Sequence, residues 1–295
     1  MHPLPDLFDL TGRVALVTGG SGLLGAQFCR TLAAAGAAVV IADLDQAAAS
    51  ILANAIAADG GQALVSRTDV TSPASVQAML EATLADFGRL DILVNSAALD
   101  PKFDPASLKK YDQELNTPNS YLLTPDSSPL TPNSIPFEDY PLEQWNQALA
   151  VNLTGAFLCC QAAARPMLAG GGGVMVNLSS IYGLAAPDQR MYQRPGGPPQ
   201  YKPAYYSVTK AGILGLTKYL AAYYAGKNIR VNALSPGGVY NGHDDEFVQA
   251  YSSRAVLGRM AEKDEMNGAL LFLVSDASKY MTGANLVVDG GWTTW

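Results

Sequence analysis

The sequence predicts an α/β protein of three layers: a doubly wound, seven-stranded parallel sheet between two sets of helices, in a single domain over residues 1–295. Three observations carry this. Short β-branched runs alternate with alanine-rich helical stretches through the first half, the pattern of βαβ units. The runs are apolar enough to be buried on both faces, as strands inside a parallel sheet are. A glycine-rich turn, Gly20-Ser21-Gly22-Leu23-Leu24-Gly25, joins the first run to the first helical stretch. With 295 residues and 48% apolar content the chain can bury a substantial core.

Taken in order, strands are expected at residues 13–18, 37–43, 62–69 and 91–95, then at 173–179, 228–234 and 284–288. Helices read most clearly at 72–87, 142–168 and 205–225. Two segments break the rhythm. Residues 99–140 carry repeated Thr-Pro and Asn-Ser signals, and Thr117-Pro118-Asn119-Ser120 recurs as Thr131-Pro132-Asn133-Ser134. Prolines at this density forbid a regular helix or a central strand, so the segment is a long loop, either a lid or disordered. Residues 187–203 form a second insertion, rich in proline and glycine, just before Tyr206.

Composition excludes several functions. A formal charge of -7 with no basic cluster opposes nucleic acid and acidic membranes. The N-terminus lacks a signal-like apolar core and no run reads as a membrane span, which predicts a cytoplasmic protein. Two histidines, His2 and His243, leave almost nothing from which to build a zinc site or a Ser-His-Asp triad, so no metal is expected. Cys29, Cys159 and Cys160 lack metal-ligand spacing and read as small core residues. Trp145 reads as core, Trp292 and Trp295 as subunit-interface residues, and His243 as part of a loop over the pocket.

The glycine-rich turn follows a strand and opens a helix, the context in which Gly-x-Gly-x-x-Gly binds a dinucleotide. Glycines let the backbone approach a pyrophosphate, and the helix start aims free amides and a positive dipole end at it. Asp43 ends the second strand where a carboxylate would accept hydrogen bonds from the adenosine ribose. A 2′-phosphate beside it would meet repulsion of about 4 kcal/mol per charge pair at ~4 Å and an effective dielectric of ~20. Leu44 and Asp45 supply no compensating cation, so NAD is expected rather than NADP.

Tyr206 and Lys210 lie four residues apart, on one face of a helix. Ionising a tyrosine near neutral pH requires a depression of roughly 3 pKa units, about 4 kcal/mol. A lysine at ~5 Å provides about 3 kcal/mol at an effective dielectric of ~20, and an oxidised nicotinamide adds a second positive charge. The pair suits hydride chemistry.

With Thr18-Gly19, Asn95, Asn152, Ser180, Tyr206, Lys210 and Pro236-Gly237 in this order, the chain resembles the short-chain dehydrogenase/reductase family, of Rossmann fold, over essentially its whole length. The resemblance implies that Tyr206 donates or accepts the proton and that Lys210 depresses its pKa and holds the nicotinamide ribose. Ser180 would orient the substrate oxygen, and Asn152 a water in the proton relay. Gly19, Ser21, Gly22, Leu23, Leu24, Gly25, Asp43 and Leu44 would hold the cofactor with Asp69, Val70, Asn95, Ala97, Pro236, Gly237 and Val239. A homodimer or homotetramer is implied as well.

Three departures stand out. The glycine spacing follows the family's longer, sugar-nucleotide branch, whereas Pro236-Gly237 and the ending Val287-Val288-Asp289-Gly290-Gly291-Trp292 resemble its short members. Asn95-Ser96-Ala97-Ala98 replaces the usual Asn-Asn-Ala-Gly. The two insertions, at about 99–140 and 187–203, both follow strands at their C-terminal ends, where ligands bind in such sheets. They are expected to shape the substrate pocket. Tyr182, Gln189, Arg190 and Arg194, with Tyr192 and Lys202, could read a phosphate, a carboxylate or sugar hydroxyls, or form a solvated charged loop.

Ser180-Ile181-Tyr182-Gly183 with Asp188-Gln189-Arg190 resembles members linked to bacterial surface-polysaccharide and sugar metabolism. The leading expectation is an NAD-dependent oxidoreductase that interconverts a secondary alcohol and a ketone on a small, polar, sugar-like substrate. A 3-oxoacyl thioester reductase and a catalytically idle NAD-binding sensor or scaffold are the alternatives.

Overall fold

The computed structural model describes residues 5–100, 132–194 and 199–295. Seven strands form one parallel sheet, β1 (Val14–Thr18), β2 (Ala38–Asp43), β3 (Gln62–Arg67), β4 (Ile92–Asn95), β5 (Gly173–Leu178), β6 (Ile229–Pro236) and β7 (Asn285–Val288). Their order across the sheet is β3-β2-β1-β4-β5-β6-β7. The chain reverses its direction of winding between β1 and β4, and a ligand crevice opens beyond the C-terminal strand ends at such a point.

Helices α1 (Leu23–Ala34), α2 (Gln46–Ala58) and α8 (Asn267–Val274) cover one face. There Phe28, Leu32, Leu52 and Leu270 pack on Val17, Ile41 and Val94. On the other face lie α3 (Pro73–Phe87), α5 (Ala156–Ala169) and α6 (Ala204–Tyr223). Met79, Leu80, Cys160, Met167 and Leu220 pack there on Leu16, Leu93 and Met175. All three cysteines are buried and unpaired, and burial pushes their thiols up, that of Cys160 to about 12. Local signals set the helix starts. Asp45 accepts from Ala48 N at 2.9 Å at the start of α2, and Ser72 caps α3 ahead of Pro73.

Several elements differ from expectation. The third strand stops at Arg67, because Asp69 turns the chain by accepting from Thr71 N and Thr71 Oγ1 at 2.9 and 2.7 Å. The long helix expected at 142–168 is three pieces: α4 (Leu142–Leu149), a π-helical stretch (Ala150–Gly155), and α5. Together, Leu142–Ala169 is long and apolar enough to cross a membrane, contrary to the sequence reading. It is a core helix, whose Cys159, Cys160, Ala163, Ala164 and Met167 are buried against the sheet. Trp145 is only half-buried, and Trp292, expected at a subunit interface, is buried within its own chain. Of the first insertion, residues 101–131 and the repeated Thr-Pro-Asn-Ser motif's first copy lie outside the described residues; 132–140 form two short 3-10 turns.

Candidate active site

A cavity of about 840 Å³ opens along the C-terminal ends of β1, β2, β4, β5 and β6. One end is lined by the turn after β1. A Cβ on Gly25 would lie 2.0 Å from the Gly19 carbonyl oxygen, and one on Gly19 would lie 2.8 Å from Ala97 Cα. The turn therefore packs backbone on backbone at both glycines. Gly22 offers no side chain to cap α1, and Gly22, Leu23 and Leu24 line the cavity with the first turn of that helix. This cradle fits a pyrophosphate, which would accept from the uncapped amides.

Asp43 stands at the tip of β2. Its Oδ2 accepts from Ser21 N at 2.9 Å and its Oδ1 from Asp45 N at 3.0 Å, so the carboxylate is fixed beside the turn. Leu44, Asp69, Val70, Ala97, Pro236, Gly237 and Val239 line the cavity as well. Asn95 does not. It is buried beneath the floor, where its Nδ2 donates to Asn177 Oδ1 at 2.8 Å; Asn177 Nδ2 donates in turn to Thr217 Oγ1 at 3.0 Å. This chain of amides ties β4, β5 and α6 together under the site, so Asn95 acts as a structural tie.

At the other end, Tyr206 and Lys210 project from one face of α6, and Ser180 follows β5. The Ser180 and Tyr206 side chains both line the cavity, and Ser180 Oγ accepts from Tyr182 N at 3.2 Å. Ser179 borders the cavity too, but its hydroxyl is engaged, donating to Lys210 O at 2.8 Å. Lys210 Nζ donates to Leu178 O at 2.9 Å and lies 5.7 Å from the Tyr206 ring centre.

The expected depression of Tyr206 is not what the protein's own groups produce. Burial pushes its phenol well above the ordinary value, the Asp100 carboxylate pushes the same way, and only the neighbouring Ser180 opposes them. Burial also draws Lys210 down to about 8, with Asp100 acting against that shift and Lys202 with it. Burial is the largest cause at both groups, since it disfavours the charged form of each.

Asn152 lies in the π-helical stretch and does not line the cavity. Its Oδ1 accepts from Leu99 N at 2.6 Å and its Nδ2 donates to Leu99 O at 3.1 Å. The side chain thus grips the loop after β4. A π-helical insertion at this point turns the residue toward that loop, a device common at functional sites.

The expected substrate residues divide. Tyr182 lines the cavity, and Tyr192 donates to its hydroxyl at 3.0 Å. Gln189, Arg190 and Arg194 do not line it. Gln189 clasps the backbone of Lys202, its Nε2 donating to Lys202 O at 3.1 Å and its Oε1 accepting from Lys202 N at 2.9 Å. Arg190 is 87% exposed and paired with Asp188 at 2.6 Å. Arg194 is paired with Asp244 at 2.7 Å, latching the insertion to the start of α7 (Asp245–Ser252).

Lys202, also among the expected residues, does line the cavity, its Nζ 3.9 Å from the Tyr206 ring centre, and beside it stands its ion-pair partner Asp100, which the sequence did not single out. The rest of this end is aromatic. Trp292 stacks on Tyr251 and meets Tyr182 edge-on, and His243 stacks on Phe247. His243, Phe247 and Tyr251 line the cavity, which agrees with the expectation for His243.

Residues 13–119 match a family model described as short chain dehydrogenase, and residues 128–293 one described as Enoyl-(Acyl carrier protein) reductase. The chain is 35% identical to a D-threitol dehydrogenase of Mycolicibacterium smegmatis, over 97% of this chain and 95% of that protein. It is also 35% identical to a cis-4-hydroxycyclohexanecarboxylate dehydrogenase of Sinomonas cyclohexanicum, over 95% of this chain and 96% of that one. A gluconate 5-dehydrogenase from Burkholderia cenocepacia, solved in complex with NADP and tartrate, superposes with a TM-score of 0.80 at 30% identity, covering 99% and 100% of the two chains.

Proposed function

The chain belongs to the short-chain dehydrogenase/reductase family and is an NAD(P)-dependent oxidoreductase of secondary alcohols and ketones; from that premise we propose that Tyr206 is its general acid/base and NAD its preferred cofactor. The observation that carries the reading is the meeting of Tyr206, Ser180 and Lys210 in one cavity with the glycine cradle and Asp43. A bound nicotinamide supplies or accepts the hydride. Ser180 and Tyr206 hydrogen-bond the substrate oxygen, stabilising the negative charge that a carbonyl develops. Tyr206 then gives that oxygen its proton, or takes it in the oxidative direction. Lys210, anchored on Leu178 O, holds positive charge near the Tyr206 ring and would offer its remaining donors to the cofactor's ribose. Asn152 serves as a positioning residue through Leu99.

The substrate we propose is a small polar alcohol. The threitol, hydroxycyclohexanecarboxylate and gluconate dehydrogenases among the relatives support this, as does a charged pair within the aromatic wall. A homodimer or homotetramer is part of the proposal, supported by the exposed, stacked Tyr219 and Tyr223 on α6.

The test is NADH formation across polyols, sugars and hydroxyacyl thioesters, with Tyr206→Phe run in parallel. The variant should lose turnover while NAD still binds. Turnover that survives the substitution defeats the assigned role, and turnover of thioesters alone would move the reading to an acyl reductase.

A further inference from the structure

We propose that Lys202 and Asp100 form a second oxygen-binding subsite beside Tyr206, one that takes the hydroxyl on the carbon next to the reacting carbon and so selects neutral vicinal diols and their hydroxy ketones. The inference rests on the dehydrogenase reading above and deepens it.

Geometry comes first. Lys202 Nζ stands over the Tyr206 ring, 3.9 Å from its centre. The phenol oxygen lies at the rim of that ring, so the ammonium is within about 5 Å of it, room for two oxygens on adjacent carbons when each hydrogen bond spans ~2.8 Å. One oxygen would meet Tyr206 and Ser180, and its neighbour would meet Lys202. The lysine side chain is only 13% exposed, and Asp100, at 46%, opens toward the cavity that both residues line.

The pair is also held in place. Gln189 bonds both the N–H and the C=O of Lys202, and Asn152 bonds both the N–H and the C=O of Leu99, which precedes Asp100. A further bond between the insertions, Tyr201 N to Asn133 O at 2.6 Å, fixes the segment that carries Lys202. Two amide clasps therefore position one cation and one anion beside the reacting group, with less left to order when substrate binds.

Chemistry then selects the ligand. A hydroxyl has one proton to donate and lone pairs to accept with, whereas an ammonium only donates and a carboxylate only accepts. The ion pair answers both halves of a neutral hydroxyl. A carboxylate in the same position would accept from Lys202 but face Asp100 with like charge. A methylene there would make neither bond.

The experiment compares kcat/KM for butane-2,3-diol, threitol, butan-2-ol and lactate with NAD, in the native chain and in Lys202→Met, Asp100→Asn and Gln189→Ala. NADH binding serves as the check that each variant is folded. The native chain should prefer butane-2,3-diol to butan-2-ol by about ten- to a hundredfold, the effect of a hydrogen bond to a charged group. Lys202→Met should bring that ratio near one. Asp100→Asn should raise lactate relative to the diol, and Gln189→Ala should lower the diol preference partway.

A native chain that prefers butan-2-ol or lactate, that turns over none of the diols, or whose diol ratio survives Lys202→Met overturns the subsite. Tyrosine-dependent turnover of any member leaves the dehydrogenase reading standing in those cases. Turnover retained by Tyr206→Phe strikes at that reading instead.

Discussion

Replacing Asp43 with Asn removes one charge and keeps the shape of the group that would face the adenosine ribose of the proposed cofactor. In the native chain the carboxylate is held beside the glycine turn by Ser21 N and Asp45 N, so it cannot swing away from a 2′-phosphate. Asp43 is half-buried, which puts the effective dielectric between the surface and bulk limits. With a dielectric of ~40 and ~5 Å between charges, each pair costs about 1.7 kcal/mol, and a doubly charged phosphate about 3 kcal/mol before salt screening. Arg67 is the register partner of Asp43 on β3, but it is exposed and does not line the cavity, so it offsets only part of this. A net preference for NADH of about 2 kcal/mol remains, roughly thirtyfold in Kd. The assay is fluorescence titration of NADH and NADPH, and Asp43→Asn should close most of the gap by strengthening NADPH. Equal or tighter NADPH binding by the native chain, or a ratio unmoved by the substitution, would refute the reasoning.

Other outcomes follow from the same geometry. Gly25→Ala would set a Cβ 2.0 Å from the Gly19 oxygen, so dinucleotide binding should be lost, with destabilisation of about 2–4 kcal/mol in urea titration. Burial holds Lys210 at about 8, against ~10.4 in an unfolded chain, so between those values the unfolded state binds the extra proton. The native chain should therefore gain stability from pH 8 toward 10 relative to Lys210→Met; parallel pH profiles for the two would exclude the shift. Arg190→Ala should leave KM unchanged for every substrate, because its exposed guanidinium is engaged with Asp188 outside the cavity; a raised KM would return Arg190 to the substrate site.

What the sequence made legible was local. The strands could be read because β1, β2, β4 and β5 are buried along nearly their whole length and their runs are apolar throughout. The glycine turn, Asp43 and the Tyr206-Lys210 spacing could be read because each is a short-range pattern tied to one strand end or one helix face. The π-helical stretch could not, since its visible consequence is the bond from Asn152 to Leu99, 53 residues away. Trp292 looked like an interface residue near the C-terminus, and its burial depends on Tyr182 and Tyr251 from distant segments. Whether Arg190 and Arg194 read a ligand or form a charged loop stayed open for a related reason. Sequence shows that Arg190 and Arg194 carry charge but not that Asp188 and Asp244 already answer it.

The positions of Asp100 and Lys202 suit a chain that keeps its chemistry fixed while carrying two long insertions. Lys202 lies four residues before Tyr206, at the base of the second insertion, and Asp100 five residues after Asn95, at the base of the first. Both are therefore anchored to elements that already position the reacting groups: Asn152 in the helix beside α6 holds the loop that bears Asp100, and Lys202 runs straight into α6. Their ion pair closes across 102 residues of sequence but joins two stems that rise from the same sheet edge. Loss of either amide clasp would free one member of the pair. Substrate preference should consequently respond to Gln189 more strongly than to the exposed charge of Arg190, although the two are adjacent in sequence, because only Gln189 bonds the residue that faces the cavity.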